Sequence, residues 1–302
     1  MSACWRLLAG GAGASVIGLL LSLGAAPPCF GQAGVCIAYR HNDDLLARCG
    51  SEEIRVTRQR GLYWYAILGD RLAIATAETR SPVEVTVYGP KGQSMVPIHG
   101  TTLYASCGHF ISAAKPNDQR VESWDVLAGR SLRINGLQRP VCGGGGEEVI
   151  GLDKTESLSS AKGEVLLDRD AVGDPTYGLS PSGQFSAFSS RDGILCISKT
   201  MGARSVCYRT NFPLAGALAV DDEGRVLYAA PAEGECFYSG FGGQHAATSG
   251  ANGAADSCYG IYMVSQEMAP KLVVSWGESP TWVSRQTVDD LARRMAAMGH
   301  GR

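Results

Sequence analysis

Four kinds of segment in this chain carry residue types that could do chemistry, and each can be held against what that chemistry requires. Gly143 to Gly146 suggests a phosphate-binding loop, but such a loop needs Gly-Lys-Ser or Gly-Lys-Thr to supply a positive charge and a magnesium ligand. Glu147 and Glu148 follow instead and would repel phosphate, so the run reads as a connection. Asp168 and Asp170, with Gly173, open like a calcium loop, yet the position that should hold its bidentate acid is Leu179. Gly178-Leu-Ser-Pro-Ser-Gly183 misses a nucleophile elbow by one residue, and Pro181 suits a turn between strands. His41, His99, His109, His245 and His300 are scattered without partners at ligand spacing. No metal or cofactor is expected, and no catalytic residue can be named.

The cysteines are more informative. Cys4 and Cys29 lie in an N-terminal segment that reads as removable, which leaves Cys36, Cys49, Cys107, Cys142, Cys196, Cys207, Cys236 and Cys258. An even number in an exported chain reads as a disulfide framework, and no two stand close enough for a zinc site. Eight cysteines allow on the order of a hundred pairings. Choosing among them needs the architecture.

Export is read from the first residues. One positive charge, Arg6, precedes an apolar run from Ala14 to Ala26, and Gly31-Gln32-Ala33 fits a small-x-small cleavage pattern. Residues 1–33 are therefore expected to be a signal peptide, with an uncleaved anchor or a lipid-modified Cys29 as the alternatives. Removing 33 of 302 residues leaves 269, an ordinary length for one all-β barrel or propeller. The net charge of −2 provides no basic field for a phosphate backbone, which excludes nucleic acid as a natural partner. Beyond Ala26 no apolar run is long enough to cross a bilayer, so the mature domain is expected not to span a membrane.

A period of about forty residues organises the rest. The clearest unit runs through Pro175 to Gly183, Gln184 to Ser190, Gly193 to Ser198 and Ser205 to Arg209, four β-leaning runs separated by turns. Gly183 and Gly224 lie 41 residues apart at equivalent turns. Units of the same kind occupy residues 63–98 and 102–134, and the stretch from Cys142 to Val172 is a poorer copy. Helical spacing appears at Thr287 to Met298, where Val288, Leu291, Met295 and Met298 fall on one face. Four-stranded units repeated at this period suit radial stacking, which hides sheet edges around a central axis. The expected fold is an all-β propeller over residues 34–286, followed by a short C-terminal helix and tail over 287–302.

Two segments carry a family resemblance. Arg120-Val-Glu-Ser-Trp-Asp-Val-Leu-Ala-Gly-Arg-Ser-Leu-Arg-Ile134 resembles the third strand and following turn of a WD-repeat blade, and Ser180-Pro-Ser-Gly183 resembles a turn of WD-like and TolB-like propellers. The resemblance implies a fold and a binding role, and no particular ligand.

Closure follows from the two ends of the repeat. Ser279-Pro-Thr-Trp282 echoes Asp174-Pro-Thr-Tyr177 as the entry to an inner strand, with too little chain behind it to finish a blade. Val35 to Arg40 and Leu45 to Cys49 form a hairpin that lacks an inner strand. Joining them completes one blade. Inner strands near residues 62, 102, 148, 176, 217 and 281 then give six blades of four strands. On this plan Cys36 pairs with Cys49 and Cys196 with Cys207 across hairpins, Cys236 with Cys258 around a Gly- and Ser-rich insertion, and Cys107 with Cys142 by elimination.

Aromatic residues on or beside the inner strands, Tyr63, Trp64, Tyr104, Tyr177 and Trp282, are the candidate ligand-binding set, with packing between blades as the competing role. The expected function is a non-catalytic binding or scaffold propeller, periplasmic or secreted, acting on a protein or cell-envelope component. The alternative is a propeller hydrolase, lyase or quinoprotein-like enzyme that uses the central channel.

Overall fold

The computed structural model describes residues 34–76, 84–97, 103–114, 120–141, 150–155, 157–160, 165–167, 176–189, 193–199, 205–210, 214–232 and 259–299. The expected signal peptide, the Gly143 to Gly146 run, Cys142, Cys236, Cys258, the segment Ser239 to Ser257, His99, His245 and His300 lie outside them.

Short runs of β-branched and aromatic residues between glycine turns give strands in chain order. The first sheet takes β1 (Val35–His41), β2 (Asp44–Cys49) and β3 (Glu52–Arg58). The second takes β4 (Leu62–Leu68), β5 (Arg71–Thr76), β6 (Glu84–Gly89) and β7 (Gly92–Val96), and the third β8 (Leu103–Cys107), β9 (Phe110–Ala114), β10 (Arg120–Asp125) and β11 (Arg130–Asn135). The fourth comprises β12 (Leu137–Val141), β13 (Ile150–Asp153), β14 (Leu158–Ser160) and β15 (Val165–Leu167). The fifth comprises β16 (Thr176–Leu179), β17 (Phe185–Ser189), β18 (Ile194–Lys199) and β19 (Val206–Arg209). The sixth comprises β20 (Ala215–Val220), β21 (Val226–Pro231), β22 (Tyr259–Ser265) and β23 (Met268–Val274). The last strand, β24 (Glu278–Ser284), returns to the first sheet, whose order is β24-β1-β2-β3. Every pairing is antiparallel between strands of one sheet, in a propeller arrangement. The first strands of the sheets stand beside one another, β4 with β8, β8 with β12, β16 with β20 and β20 with β24, so these are the inner strands.

The expected closure is present. β1 pairs with β24 in the register Cys36↔Val283, Ile37↔Trp282 and Ala38↔Thr281. Cys36–Cys49 and Cys196–Cys207 are disulfides across hairpins, with Cα atoms 4.3 Å and 4.1 Å apart. The WD-like segment forms β10, a turn and β11, and the turn is held by Asp125 Oδ1, which accepts from the N–H groups of Leu127 and Ala128 at 2.9 Å. The two repeat-related turns at Ser180 and Asp221 are laced together, because the Ser182 N–H donates to Asp222 Oδ1 at 2.8 Å. Hydrogen bonds from Ser182 hold the Asp222 carboxyl below its ordinary range.

Two expectations need correction. The inner strand of the fourth sheet is β12, not the segment near residue 148, which lies just before the second strand. Arg139 and Pro140 disguise β12, since proline removes a ladder donor and is rare in strands. Six full blades also become five full blades and one reduced sheet. Five of the sheets are built from strands of four to seven residues, whereas β14 and β15 have three each. Few apolar residues lie between Cys142 and Val172 to extend them.

The core lies between sheets. Ala38, Leu45, Ala47 and Val56 of the first sheet pack with Leu62, Tyr65, Leu72 and Ile74 of the second. Helix α1 (Arg285–Ala297) adds Val288, Leu291 and Met295, all buried, to the same cluster, and Ser284 caps it by accepting from the Thr287 N–H. Ile37 and Tyr39 face the other way, onto Leu227, Ile261 and Met263 of the sixth sheet.

Tyr65 ties the first two sheets by polarity as well as packing. Its hydroxyl lies 2.9 Å from the Ala38 carbonyl and 2.5 Å from the Ser279 carbonyl, and its single proton serves both. Burial pushes the phenol far above its usual range, so it stays a donor. Tyr65→Phe should lower stability by about 2 kcal/mol, because it strands carbonyls at a buried junction. Chemical denaturation monitored by tryptophan fluorescence checks this, and an unchanged midpoint would contradict it.

Candidate functional site

At the end of the propeller where the inner strands begin, β4 and β24 open side by side. Arg40, near the end of β1, donates from Nη1 to the Leu62 carbonyl at 2.8 Å and from Nη2 to Glu278 Oε2. The two charged side chains are 23% and 20% exposed, so each removes most of the other's reason to seek an outside ion. Ser279 follows with φ of 51° and precedes Pro280, a left-handed backbone that non-glycine residues seldom adopt. Its carbonyl is the one held by Tyr65. The mouth is thus pinned from three strands.

Two aromatic side chains stand on this pinned frame. Tyr63 is 41% exposed and Trp276 is 46% exposed. Tyr63 follows a connection closed by Gln59 N–H to Asp43 O at 2.8 Å, Leu62 N–H to Gln59 O at 3.0 Å and Gly61 N–H to Asp43 Oδ1 at 2.9 Å. Trp276 precedes Gly277, whose N–H donates to the Tyr259 carbonyl at 2.7 Å. A Cβ at Gly277 would sit 2.6 Å from the Tyr39 ring, so glycine lets this connection press onto the core. Both aromatics therefore sit beside fixed backbone.

The other aromatic candidates separate. Trp64 is half-buried in the cluster between the second and third sheets, near Trp124. Trp282 faces the sixth sheet, where its indole N–H donates to the Ala219 carbonyl at 3.2 Å and the Arg225 guanidinium lies 4.9 Å from the ring centroid. The side chains of Tyr104 and Tyr177 lie outside the described residues. Trp276 was not singled out in the sequence, because it continues the apolar run Lys271 to Trp276 and reads as the end of a strand.

Chemistry elsewhere is already committed. His109 Nε2 lies 3.7 Å from Asp125 Oδ2. At the opposite end of the inner strands, burial raises the Asp221 carboxyl against the opposing pull of Arg225, whose N–H and Nε both donate to it. A groove of about 450 Å³ on the first sheet is lined by His41, Asp44, Leu46, Glu53 and Arg55, charges of both signs. Tyr39 donates its hydroxyl proton to Glu53 there. Among the described residues no three His, Cys, Asp or Glu side chains are placed to hold a metal ion, and no helix is long and apolar enough to cross a membrane. What the mouth presents is two exposed aromatic side chains beside hydrogen-bonded backbone.

No protein-family model and no curated protein sequence matches the chain. Among solved structures it is similar to TolB from Acinetobacter baumannii, with a TM-score of 0.58 and 12% identity over 82% of this chain and 66% of that one. The chain thus spans a little under two thirds of the TolB chain. A weaker similarity, TM-score 0.43 and 8% identity, relates 83% of it to 97% of apo AztD from Citrobacter koseri. At such identity the likeness to TolB is one of fold, a TolB-like β-propeller.

Proposed function

We propose that the protein is an exported, non-catalytic binding propeller whose partner is another protein, seated on the mouth where β4 and β24 begin. The observation that carries this reading is the exposure of Tyr63 and Trp276 beside backbone fixed by hydrogen bonds and by the Arg40–Glu278 pair. Large aromatic side chains held in place before binding lose little conformational freedom on contact and dominate protein interfaces. Fold analogy alone would not specify a site. The two hairpin disulfides and the leader-like sequence of residues 1–33 support a location outside the cytoplasm, periplasmic or secreted.

The test places a photo-reactive amino acid at Tyr63, at Trp276 and, on the opposite end of the propeller, at Leu127, and irradiates cells of the source organism. A discrete protein adduct from the first two positions and none from Leu127 is the expected result. Binding of the captured protein should weaken about thirtyfold in Tyr63→Ala and in Trp276→Ala, as for interface anchors worth about 2 kcal/mol. Adducts of equal yield from Leu127, or no adduct from the mouth, would overturn the reading.

A further inference from the structure

We propose that the Cys196–Cys207 disulfide is a thiol–disulfide exchange site that accepts an anionic thiolate at Cys207 Sγ. The two described disulfides staple equivalent hairpins, yet they differ in access. Cys36 is 1% exposed, on a strand held between β24 and β2, and Cys49 packs with it in the cluster that Val288, Leu291 and Met295 of α1 complete. Cys207 lies on β19, the outermost strand of its sheet, and is exposed, while its partner Cys196 is 7% exposed. Leu195, Ile197 and Tyr208 pack toward the sixth sheet. Strand alternation therefore turns Cys196 and Cys207 to the opposite face. That is the flank of the fifth sheet on the side of the reduced fourth sheet, whose outer strands have three residues each.

Exchange requires access to one sulfur and a leaving group on the other. Cys207 supplies the first and Cys196 the second. Arg209 is exposed and lies two residues along β19 on the same face as Cys207, about 7 Å away along the strand. Its guanidinium favours an incoming thiol that carries negative charge.

The step balances without an added oxidant. The incoming thiolate attacks Cys207 Sγ and forms a new sulfur–sulfur bond, the Cys207–Cys196 bond breaks, and its electron pair leaves on Cys196, which takes a proton from water. A second thiolate attacks the incoming sulfur of the mixed disulfide, releases the Cys207 thiolate, and leaves as a disulfide with the first. Two thiols are then oxidised and one protein disulfide is reduced.

The native full chain is incubated with reduced glutathione, quenched with excess iodoacetamide in denaturant at mildly alkaline pH, and mapped by peptide mass, which assigns each cysteine separately. Expected is a glutathione adduct on Cys207 and carbamidomethylation of Cys196, at least about tenfold faster than any opening of Cys36–Cys49. Arg209→Glu should slow the reaction with glutathione about threefold or more and that with 2-mercaptoethanol, whose thiolate carries one negative charge fewer, by clearly less, while Arg209→Lys should keep both near the native rates. A parallel arm with a dithiol reductase reduced to a single attacking cysteine separates a protein thiol from a small one; trapping on Cys207 in either arm supports exchange and identifies the source. Equal or faster opening of Cys36–Cys49, an adduct on Cys196, or equal slowing of both thiols by Arg209→Glu would overturn the proposal.

Discussion

Deletion of residues 34–50 should abolish the cooperative unfolding transition of the whole propeller. The deletion removes Cys36, Ile37, Ala38 and Tyr39, each at most 5% exposed, and with them the strand that joins β24 to β2. Burial of Ile37 and Tyr39 is worth about 2 kcal/mol each, and the Cys36–Cys49 loop about another 3. Those losses alone rival the total stability of an ordinary domain, about 5–15 kcal/mol. The unpaired edges of β24 and the remaining β3 would add a tendency to associate. Differential scanning calorimetry of the truncated chain is the direct measurement. A sharp transition at the temperature of the intact protein would show that the β1–β24 pairing does not close the fold.

A single methyl group should have the next largest effect. Gly178 lies in β16 where that inner strand crosses β20, and a Cβ built on it would stand 2.5 Å from the Leu218 carbonyl oxygen and 3.0 Å from a Val220 methyl. The obstructing atom is backbone in the neighbouring inner strand, so no rotamer change can clear it. Gly178→Ala should cost about 3 kcal/mol, at the upper end of what overpacking usually costs. Gly69→Ala makes a useful comparison, because nothing lies within 4 Å of its Cβ position and only its φ of 64° opposes the change. Equilibrium denaturation of the two variants, measured side by side, should rank Gly178→Ala well below Gly69→Ala. The reverse order would mean that the inner strands can move apart at little cost.

Local chemistry accounts for what was legible in the sequence. The turns at Ser180–Gly183 and Asp221–Gly224 share a short oxygen-bearing side chain at the first position and glycine at the fourth, and the structure gives them the same closing hydrogen bonds, Gly183 N–H to Ser180 O and Gly224 N–H to Asp221 O. The Cys36–Cys49 and Cys196–Cys207 hairpins follow from spacing within one repeat. The helical face of Val288, Leu291 and Met295 was also readable, with the bounds shifted from residues 287–298 to Arg285–Ala297. Side-chain contacts between sheets left no such trace. Nothing near Arg40 points to Glu278, and nothing near Tyr65 points to Ser279, because an ion pair or hydrogen bond between sheets imposes no periodicity on either partner. The mouth was accordingly the part least visible in advance. The inner-strand aromatics were found as a class, but alternation along β4 and β24 sends Tyr63, Trp64 and Trp282 to different neighbours, which a residue type cannot reveal.

The pairing of β1 with β24 also sets an order of events during synthesis. β1 is among the first described segments made and β24 nearly the last, so the first sheet cannot be completed until almost the whole chain is available. Until then β1 presents an open ladder edge, and the apolar residues of β1 and β2 lack the cover that α1 later provides. Folds dominated by such distant pairings assemble slowly, on the order of milliseconds to seconds, and partly folded forms with unpaired edges are prone to aggregate. The Cys36–Cys49 bridge needs only residues 36–49, so it can form while that edge is still waiting for its partner. The hairpin can thereby be held in register for the strand that arrives last.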